Sequence, residues 1–140
     1  MWRFAVLFVA ARLDSNVRTI MRLKILSIES DALNPSDSGT PEDLAEFDVL
    51  VEVLLYEENR ETNDMLFEFT VASPVALVKR PVGGFIQPTL ILDEFSWQVI
   101  RQHVEKLLMH VLSCESWECV VFKFSGLMRP SSPSSYDWKF

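Results

Sequence analysis

Glycine is scarce in this chain of 140 residues, with four, and cysteine and histidine are scarcer, with two each. The adjacent pair Gly83-Gly84 precedes a predicted strand and does not open a helix, where a phosphate would sit. The cysteines, Cys114 and Cys119, have C-x4-C spacing, which fits neither a redox C-x-x-C nor a four-ligand zinc site. They read as two buried thiols in a reducing cytoplasm. His103 and His110 fall on one predicted helix, about 10 Å apart along its axis at 1.5 Å per residue, too far to share a metal ion. Both read as boundary residues. No G-x-S-x-G, H-E-x-x-H, Walker-type or dinucleotide sequence occurs. The expectation is therefore no catalytic residue, no metal, no cofactor and no enzyme. An enzyme would need a pocket where His103, Glu105 and a carboxylate of shifted pKa converge.

Basic residues are missing from one long stretch. From Glu29 to Glu68 there are thirteen acidic residues and one basic residue, Arg60, within a formal net charge of -7. Such a segment repels phosphate backbones and anionic lipid, which excludes nucleic acid and membrane as partners and favours a basic protein. Long apolar runs are missing as well. Arg3 and the eight apolar residues from Phe4 to Ala11 faintly resemble a signal peptide, but lack its polar cleavage region and are far too short to span a bilayer. Residues 1–20 read as an N-terminal extension and 21–140 as one domain. The expected compartment is the cytoplasm. Hydrophobic content of 49% with 24% charged residues belongs to a chain that folds around a core.

What is present is patterning. Residues 21–30 alternate imperfectly through Leu23, Ile25, Leu26 and Ile28 and read as a first strand. Residues 31–46 are a loop by their Pro, Ser, Asp and Gly content. Residues 47–56 place Phe47, Val49, Val51, Val53 and Leu55 on one face and Asp48 and Glu52 on the other. After the polar connection 57–63, residues 64–72 alternate again, with Met65, Phe67, Phe69 and Val71 inward. The pair predicts an antiparallel hairpin. Ser73-Pro74 opens a short helix, and residues 89–92 are a buried strand.

The most regular element follows. Trp97, Ile100, Val104, Leu107, Leu108 and Val111 recur at helical steps behind the capping residue Ser96. A second helix starts after Ser113 or Ser116, with Trp117, Val120, Val121, Phe124 and Leu127 on one face. The fold class is α+β: a mostly antiparallel four-stranded sheet covered by two C-terminal amphipathic helices. Residues 130–135 break the pattern, and the tail Tyr136-Asp137-Trp138-Lys139-Phe140 closes with three aromatics.

Carboxylate pairs such as Asp93-Glu94 and Glu57-Glu58 fall at a helix start and in a hairpin turn, settings that favour capping and solubility over acid–base chemistry. The acidic hairpin is a candidate docking surface. Its residues are Asp48, Glu52, Glu57, Glu58, Glu61, Asp64 and Glu68, joined by Asp137 and Trp138 of the tail.

These residues, taken in order, resemble the immunity protein 8 family of bacterial polymorphic toxin systems. The likeness is carried by Phe67-Glu68-Phe69-Thr70-Val71 running into Ser73-Pro74, by Leu90-Ile91-Leu92 with its acidic turn, by the helix from Ile100 to Leu108, by Cys114 with Trp117-Glu118, and by the Tyr136-Asp137-Trp138 tail. It covers 21–140. The resemblance implies a small α+β protein without catalytic activity, which protects its own cell by binding a cognate toxin; the acidic surface fits a toxin with a basic, nuclease-type domain. The alternative is a non-enzymatic interaction or homo-oligomeric module, marked by a large exposed apolar face.

Overall fold

The computed structural model describes residues 20–33, 39–58, 64–81, 83–84 and 87–131. The expected α+β class is what the chain adopts. Its centre is the hairpin of β2 (Asp48–Glu57) and β3 (Asp64–Ala72), paired antiparallel from Asp48↔Ala72 to Tyr56↔Asp64. Strict alternation sends Val51, Val53 and Leu55 of β2 and Phe67 and Val71 of β3 to one face, where all five are fully buried.

β1 (Leu23–Glu29) pairs antiparallel with β2 on the far side, with a register shift between Ile25 and Ser27. The shift explains the imperfect alternation of residues 21–30. Leu26 is the extra residue of a bulge, so it points outward while Ile25 and Ile28 both keep the core face.

The outer edge of β3 is shared by two short strands. Ser73 caps α1 (Pro74–Leu77) by accepting from the Ala76 N–H, and the chain returns as β4 (Thr89–Ile91), parallel to β3 at Thr70–Ala72. Farther along the same edge lies β5 (Arg129–Pro130), antiparallel at Phe67 and Glu68. Among the described residues the sheet therefore has five strands where four were expected. A two-residue strand ending in proline has no alternation to read, and proline fits an edge because it has no N–H to donate.

Helices α2 (Trp97–Met109) and α3 (Trp117–Lys123) cover the core face, each capped by the serine before it, Ser96 accepting from Val99 and Ser116 from Cys119. Ile100 and Val104 of α2 and Trp117 and Val120 of α3 are buried against the sheet. Phe67 lies at their meeting point, edge-on to Phe124 at 5.3 Å and tilted against Trp117 at 6.3 Å. Each such burial is worth about 1.5–3 kcal/mol before chain entropy is subtracted.

The cysteines depart from expectation. Cys114 and Cys119 form a disulfide and are not two free thiols. The loop between α2 and α3 turns at Cys114 so that the first turn of α3 carries Cys119 back to it, with Cα atoms 5.6 Å apart, inside the range a disulfide spans. Sequence spacing alone does not reveal that return.

Candidate functional site

With helices on one side, the even-numbered residues of β2 and β3 form the opposite face of the sheet, exposed at Asp48, Leu50 and Asp64, half-buried at Glu52, Leu54, Tyr56 and Leu66, and buried at Glu68, Thr70 and Ala72. It is not uniformly acidic. Leu50, Leu54 and Tyr56 alternate along β2 with Asp48 and Glu52, and Leu66 faces Leu54 across the hairpin. Leu50 is 41% exposed. The sequence already held these leucines on the even positions; reading that parity for charge alone missed them.

Across the middle of this face runs one row of directly paired residues: Glu29 on β1, Glu52 on β2, Glu68 on β3 and Arg129 on β5. Arg129 donates from Nε to Glu68 Oε2 at 2.6 Å and pairs with it through Nη2. The hydroxyl of Ser131 donates to Glu52 at 3.2 Å. Glu29 and Glu52 have no ion-pair partner among the described residues.

At the β4 end Arg80 lies over the face. Its guanidinium grips Asp48 at 2.6 and 2.8 Å and reaches Thr70 Oγ1 at 3.0 Å and Thr89 Oγ1 at 3.1 Å. The hydrogen bond to Asp48 raises the Arg80 pKa above its ordinary value, so the fork stays charged.

The structure thus sorts the expected docking residues. Asp48, Glu52 and Glu68 share the face opposite the helices, but Asp48 is neutralised by Arg80 and Glu68 is buried beneath Arg129. Asp64 is exposed at the start of β3. Glu58 is exposed and bonded to Lys24 at 2.7 Å, which raises the lysine pKa through that hydrogen bond. Glu57 is a correction. It is not in a solvated turn but is the last residue of β2, wholly buried, with Oε2 accepting from the Arg22 N–H at 2.6 Å. The reason is parity: Glu57 continues the inward series Val51, Val53, Leu55. Glu61, Asp137 and Trp138 lie outside the described residues.

Two clefts open elsewhere. One, of about 150 Å³ between β4, α2 and the turn at Gly126, is lined by Phe69, Leu90, Val104 and Leu107 with His103 and Thr89. Among the described residues no carboxylate lines it, and Glu105 instead faces Arg101 at 3.5 Å on the helix surface. The convergence that acid–base catalysis needs is not formed there. The other, of about 330 Å³, lies between the start of β1 and the end of α2 and is lined by Ile20, Leu23, Leu108, Val111 and Leu112 with Arg22. Among the described residues no cluster of His, Cys, Asp and Glu could hold a metal ion, and no helix is long and apolar enough to cross a membrane.

No protein-family model, curated protein or solved structure matches the chain.

Proposed function

We propose that the protein is a non-catalytic immunity protein that neutralises a cognate toxin by laying the sheet face opposite its helices over the toxin's working surface. The observation that carries this reading is the composition of that face. Leu50, Leu54 and Leu66 supply apolar contact, while Glu29 and Glu52 remain without counter-ions among the described residues. A mixed surface of this kind suits a protein partner: the apolar strip gives affinity and the carboxylates of Glu29 and Glu52 steer a basic surface into register.

The partner fitting it is a toxin domain with a basic cleft, as a nuclease would have. Masking requires only that the complex cover that cleft, so no chemistry is asked of this chain. The net charge of -7 adds long-range attraction that salt screens.

Co-expression tests the reading. Toxin domains encoded beside the gene are expressed with and without the full chain and scored by host survival. Rescue from one toxin is expected, with association slowing as salt rises and with Glu29→Lys plus Glu52→Lys weakening it. Rescue from none, by a soluble and folded protein, would overturn it. A second reading, a homo-oligomeric module, is favoured by Phe122, which is 79% exposed on α3. Sedimentation of the pure protein decides between them, since that reading requires a defined oligomer without any partner.

A further inference from the structure

The outer edge of β3 has a gap. β5 pairs with Phe67 and Glu68 and β4 with Thr70 to Ala72, so neither short strand pairs with Phe69 between them. The chain entering β5 does not fill the gap, because Leu127 and Met128 are held in a turn by donating to the Phe124 carbonyl at 2.8 and 3.0 Å. Gly126 in that turn has φ +83°, a left-handed conformation, and the space its Cβ would take is empty. The result is the cleft of about 150 Å³ on the helix side of the sheet. Phe69 and Val104 are its most deeply buried walls, 5% and 1% exposed, with Leu90 and Leu107 half-buried beside them.

The polar side chains of the cleft differ in what they have left to bond. The Thr89 hydroxyl is already engaged by Thr70 at 2.7 Å, by Arg80 at 3.1 Å and by the Gln87 carbonyl at 2.9 Å. His103 is exposed and has no hydrogen-bond or ion-pair partner among the described residues. A neutral imidazole offers one donor and one acceptor, and either suits a hydroxyl group.

Size and lining select the ligand. A cavity of roughly 150 Å³ walled by aliphatic and aromatic side chains holds one benzene ring. Among the described residues no acidic, lysine or arginine side chain lines the cleft, so an ionised ligand would lose its water without a fixed counter-charge. Phe69 favours another ring, set edge-on or offset against its own. We propose that the cleft is a binding site for a phenol: one uncharged aromatic ring packed on Phe69 between Leu90 and Leu107, its hydroxyl bonded to the His103 imidazole. The site lies across the sheet from the row Glu29, Glu52 and Glu68, so the inference does not rest on toxin binding by that face.

The test uses the full chain, with p-cresol as the probe and toluene as the same molecule without its hydroxyl. Titration followed by methyl and amide NMR is expected to shift the resonances of Leu90, Val104 and Leu107, with half-saturation on the order of 1 mM. Toluene should bind about fivefold more weakly, the worth of one hydrogen bond. His103→Ala should abolish that difference and leave toluene binding unchanged. Leu107→Trp, whose indole takes up the cleft, should weaken p-cresol on the order of tenfold or more. Both variants are checked for unchanged spectra away from the cleft. N-acetyl-tyrosinamide distinguishes the source of the ring: binding at the same methyls as p-cresol assigns the site to a tyrosine of a protein partner, and rejection assigns it to a free phenol. Shifts scattered over the surface, equal affinity for p-cresol and toluene, a difference that survives His103→Ala, or binding that Leu107→Trp leaves intact would each overturn the proposal.

Discussion

Glu52 and Glu68 are directly opposed on neighbouring strands, and each is held by a residue from β5 or just beyond it, Glu68 by Arg129 and Glu52 by Ser131. Like charges so placed repel, and Glu68 is 8% exposed, so the pairing depends on the guanidinium beside it. A two-residue strand thereby determines whether the centre of the sheet can carry two carboxylates.

Arg129→Ala is expected to cost about 1–3 kcal/mol in urea unfolding, since it leaves Glu68 buried without its counter-ion. Adding Glu68→Gln should recover most of the loss. A double variant as unstable as the sum of the two single ones would show that the residues act independently.

Glu57 and Glu58 are adjacent in sequence and opposite in setting. Glu57→Ala leaves the Arg22 N–H without its acceptor and is expected to cost about 1–3 kcal/mol, with Glu57→Lys worse because it buries a cation. Glu58→Lys meets solvent and should leave the urea midpoint close to that of the wild type.

Arg80→Met removes a fork that joins β2, β3 and β4 through Asp48, Thr70 and Thr89. Because the pair is partly exposed, the expected loss is about 1–2 kcal/mol rather than the larger cost of a buried ion pair. Hydrogen exchange should localise the loosening to Thr89–Ile91, whose pairing with β3 spans only three residues. A uniform rise in exchange would contradict it.

Cleaving the Cys114–Cys119 disulfide is expected to lower stability by about 2 kcal/mol, the small loop-closure contribution of so short a ring. Thiol blocking before isolation from the native cell tests whether the bond is held there. No free thiol is expected at Cys114 or Cys119; two free thiols would show that the bond is not kept in the cell.

Much of the framework was legible because it is local. The two-residue period of β2 and β3, the capping serines Ser73, Ser96 and Ser116, and the helical steps through Ile100, Val104, Trp117 and Val120 each arise from interactions within a few residues. Even the burial of Glu57 was implicit in strand parity, though its charge argued the other way. The imperfect strand at 21–30 was a bulge whose position follows from pairing with β2, not from its own residues.

The sequence by itself determined the class of fold, the side of each strand that meets the core and the acidic character of the middle of the chain. The tertiary structure alone decided which of those acids meet a counter-ion. Arg80 reaches Asp48 across 32 positions and Arg129 reaches Glu68 across 61, and Cys119 closes on Cys114 only because α3 turns back. Charge in a sequence is a local property; its neutralisation depends on which distant segments the sheet brings side by side.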